Sequence, residues 1–317
     1  MRGQTEQTTV IRAGRGGRRG SPAAVLSHVA VWPSAYLLGA VVCVSQTTGM
    51  DRQAGALTRL GAAGFTVSAA AAVYLLDRVK VRDAWLDPAD EAAHAGRQAF
   101  IAGNSRAIRA AVVVLVGIAA WLGTWIVAAG WIIPLLAVTG VLVYAGRPRA
   151  DRARPKDVLL LKNMYVGAGI AGFAGMVSIA AAHPGGSMAG MLQTARAHAG
   201  AVMISCVLLA ARVVADAILC DIDDSEADRR HRTATLPNRI GRRRAWDVAL
   251  CMRLAIAGAL AASVALPLWP RVLWAGVTAG TSITLRAAAP ARLRDLVDAR
   301  LAIEAGIVTA ILTIMRG

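Results

Sequence analysis

The chain has 317 residues, is 56% hydrophobic and carries a formal net charge of +16 at pH 7. A mean hydropathy of +0.52 excludes an ordinary soluble domain of this length. The charge does not mark a nucleic-acid partner either, because the basic residues collect at the ends of apolar blocks, where they orient a membrane protein.

Residues 1–24 are polar and rich in Gly and Arg, with Arg12, Arg15, Arg18 and Arg19 close together. They read as a disordered basic tail, suited to anionic lipid headgroups and holding the N-terminus in the cytoplasm. Nine apolar segments follow, at 25–47, 57–77, 107–125, 127–145, 158–181, 197–219, 247–267, 270–289 and 299–316. Most are about 20 residues long, the length that spans a hydrocarbon core as a helix. The first is longer than a signal-peptide core and no small-residue cleavage site ends it, so it reads as a retained span. The expected fold is all-α and polytopic, one nine-helix membrane domain over 25–317. Cys43, Cys206, Cys220 and Cys251 have no metal-ligand spacing and read as small membrane-buried side chains.

Counting cations against this layout gives a topology. The tail and the even-to-odd loops take 29 of the 35 lysines and arginines, with Arg212 assigned to the loop after the sixth segment and Arg300 to the loop before the ninth. Positive-inside orientation then puts the N-terminus in the cytoplasm and the C-terminus outside. The acids share the cytoplasmic side, in two clusters at 77–91 and 216–228.

The second cluster reads Asp216-Ala-Ile-Leu-Cys-Asp221-Ile-Asp223-Asp224-Ser-Glu-Ala-Asp228. On an ideal helix Asp221, Asp224 and Asp228 fall within about 60° of one another, and Asp223 points away. Three carboxylates on one face at the mouth of a membrane helix repel unless a cation sits among them. A hard divalent ion such as Mg2+ fits, taking a few carboxylates and sharing its other positions with phosphate oxygens. The alternative is pairing with nearby arginines. In the first cluster, Asp77 is the candidate, against a salt bridge to Lys80 at i+3. Asp87, Pro88, Asp90 and Glu91 read as an N-cap, a first-turn proline and first-turn acids.

The order of these features resembles the UbiA superfamily of intramembrane prenyltransferases, which has nine transmembrane helices and aspartate-rich motifs after helices two and six. The run Asp224…Asp228 into Thr235-Leu236-Pro237…Gly241 is similar to the second motif and its extension. Lys162-Asn163 before the fifth segment is similar to a lysine-asparagine segment of the family. Asp77-Arg78 and Asp87-Pro88-Ala-Asp90 resemble a bacterial subgroup. The likeness covers about residues 25–317. The chain also departs from the pattern. Val73 stands at the first motif's asparagine and Val81 at its second aspartate, so Asp83 would have to replace the latter. Asp216 stands where many relatives have asparagine.

The resemblance implies a Mg2+-dependent enzyme acting at the cytoplasmic face of a cell membrane, in a lipid-open cavity between the helices. Metals held by Asp77, Asp83, Asp221, Asp224 and Asp228 would neutralise a prenyl diphosphate, with Asp77, Asp224 and Asp228 central to turnover. Arg78, Lys80, Lys162, Asn163 and Arg232 would bind the substrate. The prenyl group would pass to an unidentified lipophilic acceptor, aromatic or other. Two other readings stay open: a membrane terpene cyclase that needs no acceptor, and a non-catalytic binder of lipid diphosphates.

Overall fold

A computed structural model describes residues 30–79, 95–126, 130–145, 161–183, 187–230, 234–288 and 293–316. Among the described residues there is no strand. The helices are α1 (Trp32–Thr48), α2 (Ala56–Val79), α3 (Ala95–Gly103), α4 (Ser105–Ile126), α5 (Ile132–Ala145), α6 (Leu161–Ala182), α7 (Met188–Ala197), α8 (Ala199–Arg230), α9 (Leu236–Ile240), α10 (Arg242–Ala262), α11 (Leu268–Ala288) and α12 (Leu293–Ile314).

Each of the nine expected segments holds one helix: α1, α2, α4, α5, α6, α8, α10, α11 and α12. Five of them, α2, α4, α6, α8 and α10, contain stretches long and apolar enough to cross a membrane. Apolar side chains face outward, as in a bilayer solvent: Val113 is 72% exposed and Trp125 63%, whereas Glu304 is 0% exposed. The chain is a polytopic membrane protein.

Helix α1 is the hub and packs against α2, α6, α8, α11 and α12. Its proline at the start needs no N–H partner, and left-handed Gly49 closes its end through an N–H to the Gln46 carbonyl. A Cβ on Gly39 would stand 2.6 Å from the Leu301 carbonyl oxygen, so only glycine lets α1 lie on the α12 backbone. Helix α8 is the second axis, packed on α6, α10, α1 and α12. Its 32 residues span about 48 Å, well beyond the hydrocarbon thickness, so one end projects past the apolar layer.

The structure corrects the charge assignment at two places. Arg212 lies inside α8 and Arg300 inside α12, and both are buried, so neither is a loop cation. Helix α8 runs to Arg230 rather than 219, and α12 begins at Leu293 rather than 299. Charges ended the apolar segments too early, because here they turn inward onto one another instead of marking a membrane surface.

Three basic and two acidic side chains form a buried layer. Arg212 pairs with Glu304, and Arg253 pairs with Asp216. Arg300 reaches Glu304 at 3.0 Å and Asp216 at 3.7 Å. The Tyr36 hydroxyl donates to Asp216 at 2.8 Å, and Arg212 donates to Thr278 at 3.0 Å. This layer divides the apolar core. On α8 the large cluster ends at Val213 and a second begins at Ala215; on α10 the break falls between Ala249 and Ile256, on α12 between Val297 and Leu301. Arg253 and Arg300 sit in those breaks.

Candidate active site at the end of helix α8

Helix α8 repeats a polar residue every fourth position: Arg212, Asp216, Cys220, Asp224 and Asp228. Four residues advance about 40° beyond a full turn, so these side chains form a slowly turning stripe. Helix α12 runs antiparallel beside it. Arg294 meets Asp224 at 2.8 Å, Asp298 acts electrostatically on Cys220, Arg300 approaches Asp216, and Glu304 pairs with Arg212. The two helices thus share one charged seam, from the end of α8 to the buried layer.

The aspartates occupy the last turns of α8, where the helix dipole is negative and anions are disfavoured. Cations from other helices answer this. Lys162 Nζ on α6 lies 2.7 Å from Asp221 Oδ1. Asn163 Nδ2 donates to Asp221 Oδ2 at 3.3 Å, while its Oδ1 is buried with no hydrogen-bond partner. Arg294 holds Asp224 through its side chain and Asp223 through its backbone N–H at 2.9 Å. Asp221 and Asp228 are buried, Asp224 is half-buried and Asp223 is exposed.

On the facing side, α2 ends with Tyr74, Asp77 and Arg78, all half-buried. The Tyr74 phenol lies within electrostatic range of Asp298, Arg78, Asp77 and Cys220. Cys220 in turn lies in the fields of Asp298, Arg294, Asp224 and Asp221. Tyr74, Cys220 and Asp298 therefore link the end of α2, which carries Asp77, to the end of α8, which carries the aspartates, and this polar region is termed the vestibule.

The sequence-derived set divides accordingly. Asp77, Arg78, Lys162, Asn163, Asp221 and Asp224 fall around this vestibule, and Asp228 lies one turn further along α8. Lys80, Asp83 and Arg232 lie outside the described residues. Arg294 and Asp298 were missed. Their signal was the four-residue spacing Arg294, Asp298 and its neighbour pair Arg300 and Glu304, which repeats the periodicity of α8. The extension after α8 forms the short helix α9, with Pro237 in its first turn and Thr235 buried before it.

Mg2+ binds through one or two carboxylates plus substrate oxygens and water, so it needs no dense protein cage. Among the described residues no three His, Cys, Asp or Glu side chains converge into a cage. The donors present are hard carboxylate oxygens together with the orphaned Asn163 Oδ1, and this chemistry suits such an ion.

No protein-family model matches the chain, and no curated protein matches it. Two solved structures share the fold. One is the apo structure of a UbiA homolog from Aeropyrum pernix K1, with a TM-score of 0.64 at 15% identity over 90% of this chain and 98% of that one. The other comes from work on a digeranylgeranylglyceryl phosphate synthase in membranes, with a TM-score of 0.51 at 12% identity over 91% and 93%. The chain has the fold of these proteins across nearly its whole length.

Proposed function

We propose that this chain is a Mg2+-dependent prenyltransferase of the UbiA type, moving a prenyl group from an isoprenoid diphosphate to a lipophilic acceptor within the membrane. The observation that carries the reading is the vestibule itself. In a fold shared with a UbiA homolog, the end of α2 that carries Asp77 and the end of α8 that carries the aspartates both lie near Tyr74, Cys220 and Asp298, which supports reading them as one site.

Asp224, Asp228 and Asp77 are the carboxylates that would hold Mg2+, with Asp221 beside them and Asp83 as the further candidate. When bound there, Mg2+ neutralises the charge that develops on the departing diphosphate. The residues of the chain bind and orient. Lys162 and Arg78 stand at the vestibule as donors for diphosphate oxygens, with Lys80 and Arg232 as further candidates. Asn163 fixes Asp221 through its amide N–H and keeps a buried carbonyl oxygen at the site.

The same reading takes all nine long helices as crossings. It puts the N-terminus and the vestibule on the cytoplasmic side of a cell membrane and the C-terminus outside. The test is turnover of a labelled prenyl diphosphate by the purified protein, with and without Mg2+. The Asp224→Asn and Asp228→Asn variants should lose turnover while melting at the temperature of the wild type. Wild-type turnover in both variants would sink the mechanism.

A further inference from the structure

The start of α10 carries a basic patch that the proposed chemistry does not use. Arg239 on α9 and Arg242, Arg243 and Arg244 on α10 put four cations into six residues, and all four are exposed. The acids nearby are engaged with other groups. Asp247 pairs with Arg286 at 3.0 Å, Glu226 pairs with Arg229 and Arg230, and Asp223 accepts from the Arg294 backbone N–H, with Arg242 adding a longer-range attraction. Orienting a helix in a bilayer calls for cations at its end, but not for this density of them.

Helix α10 contains a stretch long and apolar enough to cross a membrane, so its charged first turn stands at headgroup level. Trp246, one turn in, is half-buried, as suits an interfacial ring, and the Arg286 guanidinium lies over it at 5.4 Å. Gly241 begins the helix and offers no side-chain acceptor. The first-turn N–H groups are thus left to solvent or to an anionic group, which the helix dipole favours.

Further along, the same face of α10 becomes apolar. Val248, Cys251 and Ala255 are exposed, and on an ideal helix they and Arg244 fall within about 60° of one another. A cation at headgroup level therefore heads a strip of exposed apolar side chains about 16 Å long.

We infer that this face of α10 binds a phospholipid with an anionic headgroup. Arg244 meets the phosphate, Arg239, Arg242 and Arg243 supply the surrounding field, and one acyl chain lies along Val248, Cys251 and Ala255. A free phosphate would use the arginines and gain nothing from the strip. A zwitterionic lipid would use the strip and carry its amine into a field of four guanidinium groups. A lipid with a net negative head satisfies both. The inference does not depend on the prenyl-transfer reading, and its failure would leave that reading standing.

The experiment is binding of radiolabelled dioleoylphosphatidylglycerol to the purified, full-length protein in detergent. The competitors are the same lipid unlabelled, dioleoylphosphatidylcholine and inorganic phosphate. Unlabelled phosphatidylglycerol should displace the label at least about tenfold better than phosphatidylcholine, and inorganic phosphate should leave it bound. Absence of binding, or equal displacement by the two lipids, would overturn the inference. Displacement by inorganic phosphate would reduce the patch to a simple anion site and overturn it as well. Two variants locate the site. Arg242→Gln/Arg243→Gln/Arg244→Gln should lose the preference for phosphatidylglycerol. Arg52→Gln/Arg59→Gln/Arg196→Gln removes as many exposed cations outside the patch and should keep it. Thermal unfolding at the wild-type midpoint checks that each variant is folded. An equal loss in both variants would assign the preference to the overall charge of the protein and contradict a site on α10.

Discussion

Arg294 Nη1 lies 2.8 Å from Asp224 Oδ2, so the last long helix supplies a counter-ion to the acidic end of α8. The pair is partly solvated, with side-chain exposures of 25% and 20%. Replacing Arg294 with Gln should lower stability by only about 1 kcal/mol, the range of a solvated pair. It should also raise the affinity for Mg2+ alone, because a cation beside Asp224 is removed. Calorimetric titration of Mg2+ into the two proteins checks both the direction and the independence from folding.

Lys162 and Asn163 both reach Asp221, and each gives a different expectation. Lys162→Ala removes a cation from the vestibule and should weaken pyrophosphate binding about tenfold, the loss of one charge-assisted contact. Asn163→Ala removes the amide that orients Asp221 and should reduce turnover more than pyrophosphate affinity. Comparing the two variants in binding and in turnover separates a diphosphate donor from a positioning group.

The helices and the gathering of acids at the end of α8 were legible in the sequence, and what was not has one physical cause. The spacing of Asp221, Asp224 and Asp228 gave a shared helix face, and α8 carries them on its last turns. The periodicity of apolar segments found a helix at each of nine places. Arg212 and Arg300 misled because a cation beside an apolar run ordinarily marks the membrane surface. Here each has an acid within reach on a neighbouring helix, Glu304 or Asp216, which no linear pattern displays. The start of α12 was lost for the same reason, and with it Arg294 and Asp298.

The buried layer makes a strong prediction about folding. Glu304 is 0% exposed and touches both Arg212 and Arg300. Truncating it leaves the guanidinium groups of Arg212, Arg253 and Arg300 facing the single carboxylate of Asp216. Glu304→Ala should cost about 3–5 kcal/mol, as expected when one partner of a buried ion pair is removed. Thermal unfolding in detergent should show a large drop in midpoint, and a change within the noise would contradict the pairing.

Helix contact at Gly39 makes a second, purely steric prediction. A methyl group at this position would stand 2.6 Å from the Leu301 carbonyl oxygen, on backbone that cannot step aside. Gly39→Val should therefore force α1 from α12 at a cost of about 1–3 kcal/mol. Gly61, where a Cβ meets nothing within 4 Å, serves as the control, and Gly61→Ala should leave the unfolding midpoint almost unchanged.

The central claim is that the α8 aspartates and Asp77 border a site for a prenyl diphosphate. The most direct measurement is mass spectrometry of the products after membranes containing the protein are incubated with labelled allylic diphosphates and Mg2+. The account expects consumption of the diphosphate, release of pyrophosphate and a prenylated lipophilic product, all lost without Mg2+ and in Asp224→Asn. Recovery of every diphosphate intact from the wild-type protein would contradict it.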